Sequence, residues 1–334
     1  SVVWNDCIQF VIYIGGAFIA LALLARQLPQ GWSSIFVYAQ AHDKFQMWHW
    51  EFGWSQPYTF WAGLIGGAFL TLGTHGTDQM MVQRLLGAGS LRGAGKALLC
   101  SGVVVFLQFA LFLFVGVALA TFYHAFPPDQ PFSTNDAVFS RFIVEELPAG
   151  WGLIGLILAA VFAAAMSTLS SSLNASASAV VGDFLKPLKK ETWSDARYVV
   201  ASRFWTLIFG VLQMGVAVVG SHLSRSVVNE VLAIAGFTAG IMLGVFALAM
   251  ILRTVHWSTG LAAMAGGAVV LLVIHERSHV AWPWWSVIGA VATIGCGLAF
   301  ATITYWIRRM RDNLPDAHSF ASNTLEDHRT ERDS

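Results

Sequence analysis

A row of hydroxyl and amide side chains lies in the middle of one long apolar stretch, residues 156–183. The row contains Ser167, Thr168, Ser170, Ser171, Ser172, Asn174, Ser176 and Ser178. Their oxygen atoms are hard, neutral donors, which suit a small alkali cation better than a soft metal. A helix that faced lipid all round would not carry so many polar groups. One face of this stretch must therefore contact protein or a polar cavity.

Helical geometry places four of these eight polar groups on one side of the stretch. With Ala164 at zero and about 100° per residue, Ser167, Ser171, Asn174 and Ser178 fall between about 280° and 340°. Large apolar side chains lie opposite, at about 140–200°. Close packing of helices through small residues explains such a face as well as a cation site does. The spacing alone leaves both interpretations open.

One acidic residue favours a cation. Asp6 lies a few residues inside the first apolar stretch. An ionised carboxylate at that depth costs at least ~2.5 kcal/mol unless it is paired or binds a cation. No Lys or Arg within the apolar stretches is an obvious partner for it. Asp6 therefore makes a cation site the favoured interpretation of the hydroxyl row.

A second polar interruption lies in the apolar stretch 58–82, where residues 71–79 read TLGTHGTDQ. Such glycine-interrupted spans in transporters are often broken helices, whose freed backbone groups bind substrate near the midplane. A simple kink that neighbouring helices satisfy is the alternative. His75 is a candidate for substrate contact or proton relay, or else a packing residue. Asp78 is explained equally well by an ion pair or by a helix-end contact.

Membrane-spanning helices must position these groups. The 334 residues are 56% hydrophobic and only 11% charged, outside the range of a soluble domain. A bilayer core of about 30 Å takes about 20 helical residues. The stretches long and apolar enough are residues 2–25, 58–82, 97–123, 151–185, 199–221, 228–252, 258–275 and 284–307. The predicted fold class is an all-α, polytopic membrane protein.

The distribution of positive charge predicts the orientation and the domain limits. Most Lys and Arg residues of the loops and ends lie on one side of the predicted spans, which assigns that side and the C-terminus to the cytoplasm. Residues 1–312 form the predicted transmembrane domain. Residues 313–334 are short of apolar side chains and predict a disordered cytoplasmic tail. The chain opens on Ser1 without a signal peptide, so we expect further helices to precede it.

Other functional classes find no support in the sequence. Basic and acidic residues balance at 19 each, and no basic patch indicates nucleic-acid binding. No nucleophile, metal or phosphate-loop pattern indicates an enzyme. The Trp-rich segment 26–57 contains His42 and His49, and we interpret it as an interfacial aromatic belt rather than as a metal or aromatic ligand box.

Three separated stretches together resemble the sodium:solute symporter family, which includes sodium/glucose, sodium/proline, sodium/sialic acid and sodium/multivitamin transporters. They are VVWNDCIQF at 2–10, GTDQMMVQR at 76–84 and AAVFAAAMSTLSSSLNASASAVVGDFLKP at 159–187. The resemblance implies a leucine-transporter-like fold of two inverted five-helix repeats. About eight of its helices would be present here, without the first four core helices. The resemblance also suggests a bacterial member that is truncated at its N-terminus.

The resemblance further implies two groups of sodium ligands. The family's shared site corresponds to the Ala164 carbonyl and the hydroxyls of Ser167 and Thr168. A second site, found in some members, corresponds to Asp6, Ser170 and Ser171.

The substrate positions implied by the resemblance are Thr71, Thr74 and His75. Sugar-transporting members carry an amide and aromatic gate residues there, and one of their Lys residues is replaced here by about Val105. This departure argues against a closely similar sugar site.

The function implied is sodium-driven symport of a small polar organic solute, such as a sugar, sialic acid, a carboxylate, a vitamin or an amino acid. Na+ would be the coupling ion. The expected partners are that solute, the lipid bilayer and the missing N-terminal helices of the same protein, in a bacterial plasma (inner) membrane. A transporter-like solute sensor and a proton-coupled porter using His75 or Asp6 are the alternatives.

Overall fold

Helices make up the regular structure of the chain because lipid offers an open backbone no hydrogen-bond partner. The computed structural model describes residues 2–132, 134–147, 152–188, 193–220, 227–252 and 256–312. Within these ranges the regular elements are α-helices and two π-helical turns. The predicted all-α fold class is confirmed.

The helices follow one another with short connections. In chain order they are α1 (Val2–Gln27), α2 (Trp32–Ala41), α3 (Gly67–Gly76), α4 (Gln79–Leu86), α5 (Leu91–Ala125), α6 (Ala137–Glu145), α7 (Leu153–Ala179), α8 (Lys186–Leu188), α9 (Asp195–Gly220), α10 (Val227–Ile251), α11 (Trp257–Arg277) and α12 (Pro283–Asp312). One π-helical turn, Ala62–Gly66, leads into α3, and the other, Val180–Leu185, joins α7 to α8.

Seven helical stretches of the described chain are long and apolar enough to cross a bilayer. They are Asp6–Gln27, Leu91–Ala125, Ile154–Leu188, Asp195–Gly220, Val227–Ile251, Trp257–Arg277 and Pro283–Arg311. Each corresponds to a predicted span. The remaining predicted span, residues 58–82, is divided between α3 and α4, with Thr77 and Asp78 between them. The structure therefore shows the broken helix and not a kink in a continuous one.

Some of the predicted features fall outside the described residues. The predicted tail, residues 313–334, is one of them. Others are Lys189, Lys190 and Arg253 of the predicted cytoplasmic loops.

The chain divides into two units. Unit 1 comprises Ser1–His49 and Asp78–Val231, and unit 2 comprises Trp50–Thr77 and Leu232–Ser334. One boundary coincides with the helix break at Thr77 and Asp78, so α3 belongs to unit 2 and α4 to unit 1.

The core of unit 1 gathers at the C-terminal ends of α1 and α5, where α2 and α6 pack onto them. Leu24, Ile35 and Phe142 are fully buried there. The Phe142 ring meets Phe122 of α5 edge to face, with 5.7 Å between centroids. Such close packing stabilises the fold mainly through dispersion contacts, because lipid gives apolar side chains little hydrophobic driving force to associate. This core fixes the end of α1 opposite to Asp6.

Unit 2 is held together by glycine contacts between backbones. A Cβ atom added to Gly240 of α10 would lie 2.7 Å from the Ser286 carbonyl oxygen of α12. One added to Gly73 of α3 would lie 2.8 Å from the Ala239 carbonyl oxygen. Small residues let membrane helices approach this closely, and dispersion contacts then stabilise the pair. The half-helix α3 is therefore fixed within unit 2 by backbone packing.

Candidate functional site

The hydroxyl row begins in the middle of α7, a helix that Gly152 starts with a left-handed backbone conformation at φ 65°. The Thr168 hydroxyl donates a hydrogen bond to the Ala164 carbonyl, 3.0 Å away. Such a bond from residue i to the carbonyl of i−4 weakens the helix slightly and often bends it. The first predicted sodium group thus contains a hydroxyl and a carbonyl that already meet on one turn of α7.

Asp6 of α1 lies against α7. The Ser167 hydroxyl donates a hydrogen bond to Asp6 Oδ1 at 2.7 Å, the length expected when the acceptor is a carboxylate. The two residues are 161 positions apart in sequence. A carboxylate and a hydroxyl from two membrane-length helices therefore converge at one point.

Arg84 of α4 completes this junction. Its Nη2 atom lies 3.6 Å from Asp6 Oδ2, and the Arg84 and Asp6 side chains are 48% and 33% exposed. No Lys or Arg within the predicted spans was an obvious partner for Asp6, and its partner in the structure is Arg84, two residues beyond the predicted span 58–82. The break makes α4 a separate short helix that packs against α7, which brings Arg84 to Asp6.

The hydrogen bond of Asp6 joins a residue of one predicted group of sodium ligands to a residue of the other. Asp6 was grouped with Ser170 and Ser171, yet it contacts Ser167 of the other group. Ser170 and Ser171 follow Ser167 by three and four residues, which places them one turn further along the same side of α7. The two groups are thus adjacent turns of one helix.

This junction has the chemistry of a site for a small cation. Its groups are a carboxylate, hydroxyls and a backbone carbonyl, all hard oxygen donors. A half-exposed ion pair such as Asp6 and Arg84 is worth at most about 1 kcal/mol. The cation already at Asp6 is therefore held only weakly. We name Asp6, Arg84, Ala164, Ser167 and Thr168 the acid–hydroxyl junction.

The predicted substrate residues cluster on the last turns of α3. The Thr74 hydroxyl donates to the Leu70 carbonyl at 3.0 Å. His75 Nδ1 lies 3.1 Å from the Thr74 hydroxyl and 3.2 Å from the Thr71 carbonyl. These contacts are local to the helix, and the three residues belong to unit 2 whereas the acid–hydroxyl junction belongs to unit 1. Their role in binding substrate stays a prediction.

Two residues determine where the broken span stops and restarts. The Thr77 hydroxyl donates to the Gly73 carbonyl at 2.7 Å and ends α3. Asp78 Oδ1 then accepts the backbone N–H groups of Met80 and Met81, at 2.8 and 3.3 Å, and caps α4. Of the two explanations offered for Asp78, the helix-end contact is observed. An acid here also suits the positive end of the α4 dipole.

Two polar residues of the site were missed by sequence analysis. Gln213 of α9 donates its amide to the Ser172 hydroxyl at 3.1 Å, so this member of the row serves contact between helices. Gln9 is buried one turn beyond Asp6, and its Nε2 atom lacks a hydrogen-bond partner among the described residues. The sequence signal for Gln9 was a single amide side chain in an otherwise apolar stretch. Such a group costs free energy in a membrane unless it has a partner or a function.

The fold and this junction define a class: a polytopic helical membrane protein with a broken span and a carboxylate–hydroxyl site between helices. The chain belongs to the sodium:solute symporter family, whose model matches residues 1–267.

Individual relatives are similar over most of this chain. It is 29% identical over 283 residues to the human sodium/iodide cotransporter, covering 81% of this chain and 42% of that protein. It is 27% identical over 314 residues to the bovine sodium-coupled monocarboxylate transporter 2, covering 90% and 49%. It is 26% identical over 307 residues to the sodium/sialic acid symporter of Proteus mirabilis, covering 91% and 61%. The chain thus spans about half the length of the curated relatives it matches.

A solved structure shows the same fold. The substrate-bound, outward-open structure of a Na+-coupled sialic acid symporter superimposes with a TM-score of 0.74 at 24% sequence identity. The match covers 90% of this chain and 62% of that one.

Proposed function

We propose that this chain forms part of a sodium-driven symporter that imports a small polar solute by alternating access. The observation that carries the proposal is the 2.7 Å hydrogen bond between Ser167 and Asp6, which joins a carboxylate to the hydroxyl row inside the membrane-length helices. Family membership supports sodium as the coupling ion. The predicted ligand groups are retained: Ala164, Ser167 and Thr168 for one sodium ion, and Asp6, Ser170 and Ser171 for a second.

Sodium would act by replacing Arg84 at Asp6. The ion brings a positive charge to the same carboxylate, so Arg84 and the α4 helix that carries it are released. Because α4 is the second half of the broken span, sodium binding is thereby linked to the segment that carries the predicted substrate residues. Such linkage between two sites is what couples an ion gradient to a solute.

The solute is proposed to be a small anion or another small polar molecule. The relatives are named for iodide, monocarboxylates, sialic acid and vitamins. Three of these four names describe anions, so a carboxylate is the first solute to test. Thr71, Thr74 and His75 would contribute hydrogen-bonding groups from α3.

We further infer that helices outside these 334 residues complete the transport site. The support is that relatives about twice as long match the chain over nearly its whole length. The positive charges at Arg84, Arg92 and Lys96 favour a cytoplasmic location for that side and for the C-terminus. A bacterial plasma membrane is the proposed location.

Sodium binding to the purified full-length protein that contains this chain tests the proposal directly. Binding of 22Na+ is measured by scintillation proximity on the protein in detergent, with Ser167→Ala/Thr168→Ala as the test variant. The double variant should raise the sodium concentration for half-saturation by about tenfold or more, since it removes two ligands. Thr302→Ala is the matched control, because Thr302 is also an exposed threonine that donates to the carbonyl of residue i−4, at 2.8 Å.

Transport is tested with the full-length protein that contains this chain, reconstituted in proteoliposomes, using a panel of labelled carboxylates, sugars and amino acids. Uptake should require an inward sodium gradient. Uptake that persists without sodium and follows pH would establish the proton-coupled alternative instead. Sodium binding that is unchanged in Ser167→Ala/Thr168→Ala would refute the assignment of these ligands.

A further inference from the structure

Unit 1 contains a cavity at the end of α1 opposite to Asp6. Its volume is 400 Å³, and it lies between the segment after α1, the helix α2 and the last turns of α5. His42 and His124 both line it, together with Tyr38 and Thr121. Asp6 and the end of α1 are separated by about 30 Å of helix. This cavity is therefore distinct from the acid–hydroxyl junction.

Two histidines from different helices meet at this cavity. The ring centroids of His42, which follows α2, and His124, in the last turn of α5, are 5.8 Å apart. Both side chains are exposed. Two imidazoles that bind one tetrahedral zinc ion, with Zn–N bonds of about 2.0–2.1 Å, place their ring centres about 5 Å apart. Small rotations of the two exposed rings therefore suffice to bring one nitrogen of each onto a shared ion.

The tautomer of His42 suits a metal ligand. Its Nδ1 atom lies 3.0 Å from the Tyr38 carbonyl oxygen, which can only accept a hydrogen bond. The proton of neutral His42 therefore belongs on Nδ1, and the lone pair of Nε2 is left free. Metal-binding histidines are commonly oriented in this way, by a bond from the second ring nitrogen to a backbone carbonyl. The Tyr38 ring also stacks on His42, with 4.1 Å between centroids.

The two helices that carry the pair are held in place by aromatic packing. Phe114 of α5 stacks parallel to Trp32 of α2 at 6.5 Å and contacts Phe36 at 5.9 Å. Ile35 of α2 is fully buried in the core of unit 1. The two imidazoles are thus presented by a rigid scaffold, which lowers the cost of ordering them around an ion.

We propose that His42 and His124 form a binding site for one divalent transition-metal ion, with Zn2+ as the representative ion. Imidazole nitrogen favours Zn2+, Cu2+ and Ni2+ and does not suit Mg2+ or Ca2+. No group of three His, Cys, Asp or Glu residues that could hold a metal occurs within the described part of the chain. Water would complete the coordination. A bound ion would link α2 to α5 on the side predicted to be external.

Calorimetric titration of the purified chain with ZnCl2 tests this site. The protein is prepared in detergent without a polyhistidine tag. The unmodified chain should bind one zinc ion at this pair, and His42→Ala or His124→Ala should each weaken that binding by about 10²-fold, because a chelating pair becomes a single ligand. His49→Ala and His256→Ala are matched controls, since both residues are also exposed, and neither should change the affinity.

Two further measurements decide whether the ion bridges the pair. Cu2+ bound to the unmodified chain should show an electron paramagnetic resonance pattern from two imidazole nitrogens, and from one in either alanine variant. His124→Cys should bind zinc more tightly than His124→Ala does, because a thiolate is also a zinc ligand. A titration without zinc binding, or alanine variants that bind as tightly as the unmodified chain, would overturn the proposal.

Discussion

The acid–hydroxyl junction of unit 1 and the glycine interfaces of unit 2 bring helices together in opposite ways. At the junction, three helices meet through charged and hydroxyl side chains, and both Asp6 and Arg84 are partly exposed. In unit 2, α10 and α12 meet through the backbone at Gly240, with Ser286 fully buried beside it. The first contact is polar, partly exposed and weak, whereas the second is buried and has no space for a methyl group.

This difference indicates which contacts can change during the proposed transport cycle. Polar contacts between side chains can exchange one partner for another at a cost of about 1 kcal/mol. Interlocked backbones cannot shift without losing their packing, because packed interiors are not continuously deformable. We therefore expect the glycine interfaces to keep their packing and the acid–hydroxyl junction to rearrange.

The largest effect is expected at the glycine interface. Gly240→Ala would place a methyl group 2.7 Å from the Ser286 carbonyl oxygen, and such overpacking costs about 1–3 kcal/mol or more. Gly295→Ala of α12 is the control, since nothing lies within 4 Å of its added Cβ. Thermal unfolding in detergent should show a clear loss of stability for the first variant and none for the second. Equal melting temperatures for Gly240→Ala and Gly295→Ala would show that the glycine interface is not tightly packed, and the contrast with the acid–hydroxyl junction would be lost.

Asp6→Asn should have the next largest effect, on ligand binding rather than on folding. Asparagine keeps an acceptor for Ser167 but loses the charge that attracts sodium, so 22Na+ affinity should fall by about tenfold or more. Asp183→Asn is the control, an exposed acid in the π-helical turn after α7. If Asp6→Asn lowered the melting temperature and left sodium affinity unchanged, Asp6 would serve folding and not the ion.

The sequence predicted the helices well because apolar length and polar interruption are local signals. The hydroxyl row, the seven membrane-length helices and the broken span were all visible as departures from an apolar background. Arg84 was missed because its contact with Asp6 depends on where α4 lies after the break, which no local pattern encodes. The choice of Ser167 over Ser170 as partner of Asp6 also depends on the register between α1 and α7.

The glycine interfaces were not predicted for a related reason. Glycines of α10 that contact α12 look like those that contact nothing, such as Gly295. Only the close approach of a second helix backbone distinguishes an interface glycine such as Gly240 from a glycine with open space beside it, such as Gly295. Ser172 likewise looks the same as Ser167 in the sequence. Only the structure shows that its hydroxyl accepts a hydrogen bond from Gln213 of another helix.

Arg84→Ala should change sodium binding in the direction opposite to Asp6→Asn. It removes the cation that occupies Asp6, and the pair is partly exposed, so the gain in 22Na+ affinity should be at most about fivefold, or 1 kcal/mol. Arg84→Lys keeps the charge and should leave the affinity near that of the unmodified chain. A weaker affinity in Arg84→Ala would show that Arg84 supports the sodium site and does not compete with the ion.

The smallest effect is expected at Ser172, and it tests whether the hydroxyl row has two roles. Ser172→Ala removes the acceptor of the Gln213 amide and should cost about 1 kcal/mol of stability, because one polar group on α9 loses its partner. Ser172 follows Ser167 by five residues, which turns it about 140° away around α7. Sodium affinity should therefore not change in Ser172→Ala. The double variant Ser172→Ala/Gln213→Leu should recover part of the lost stability, because both polar partners are then absent. A loss of sodium affinity in Ser172→Ala as large as in Ser167→Ala would mean that the whole row serves the ion, and that the packing and binding roles are not separated along α7.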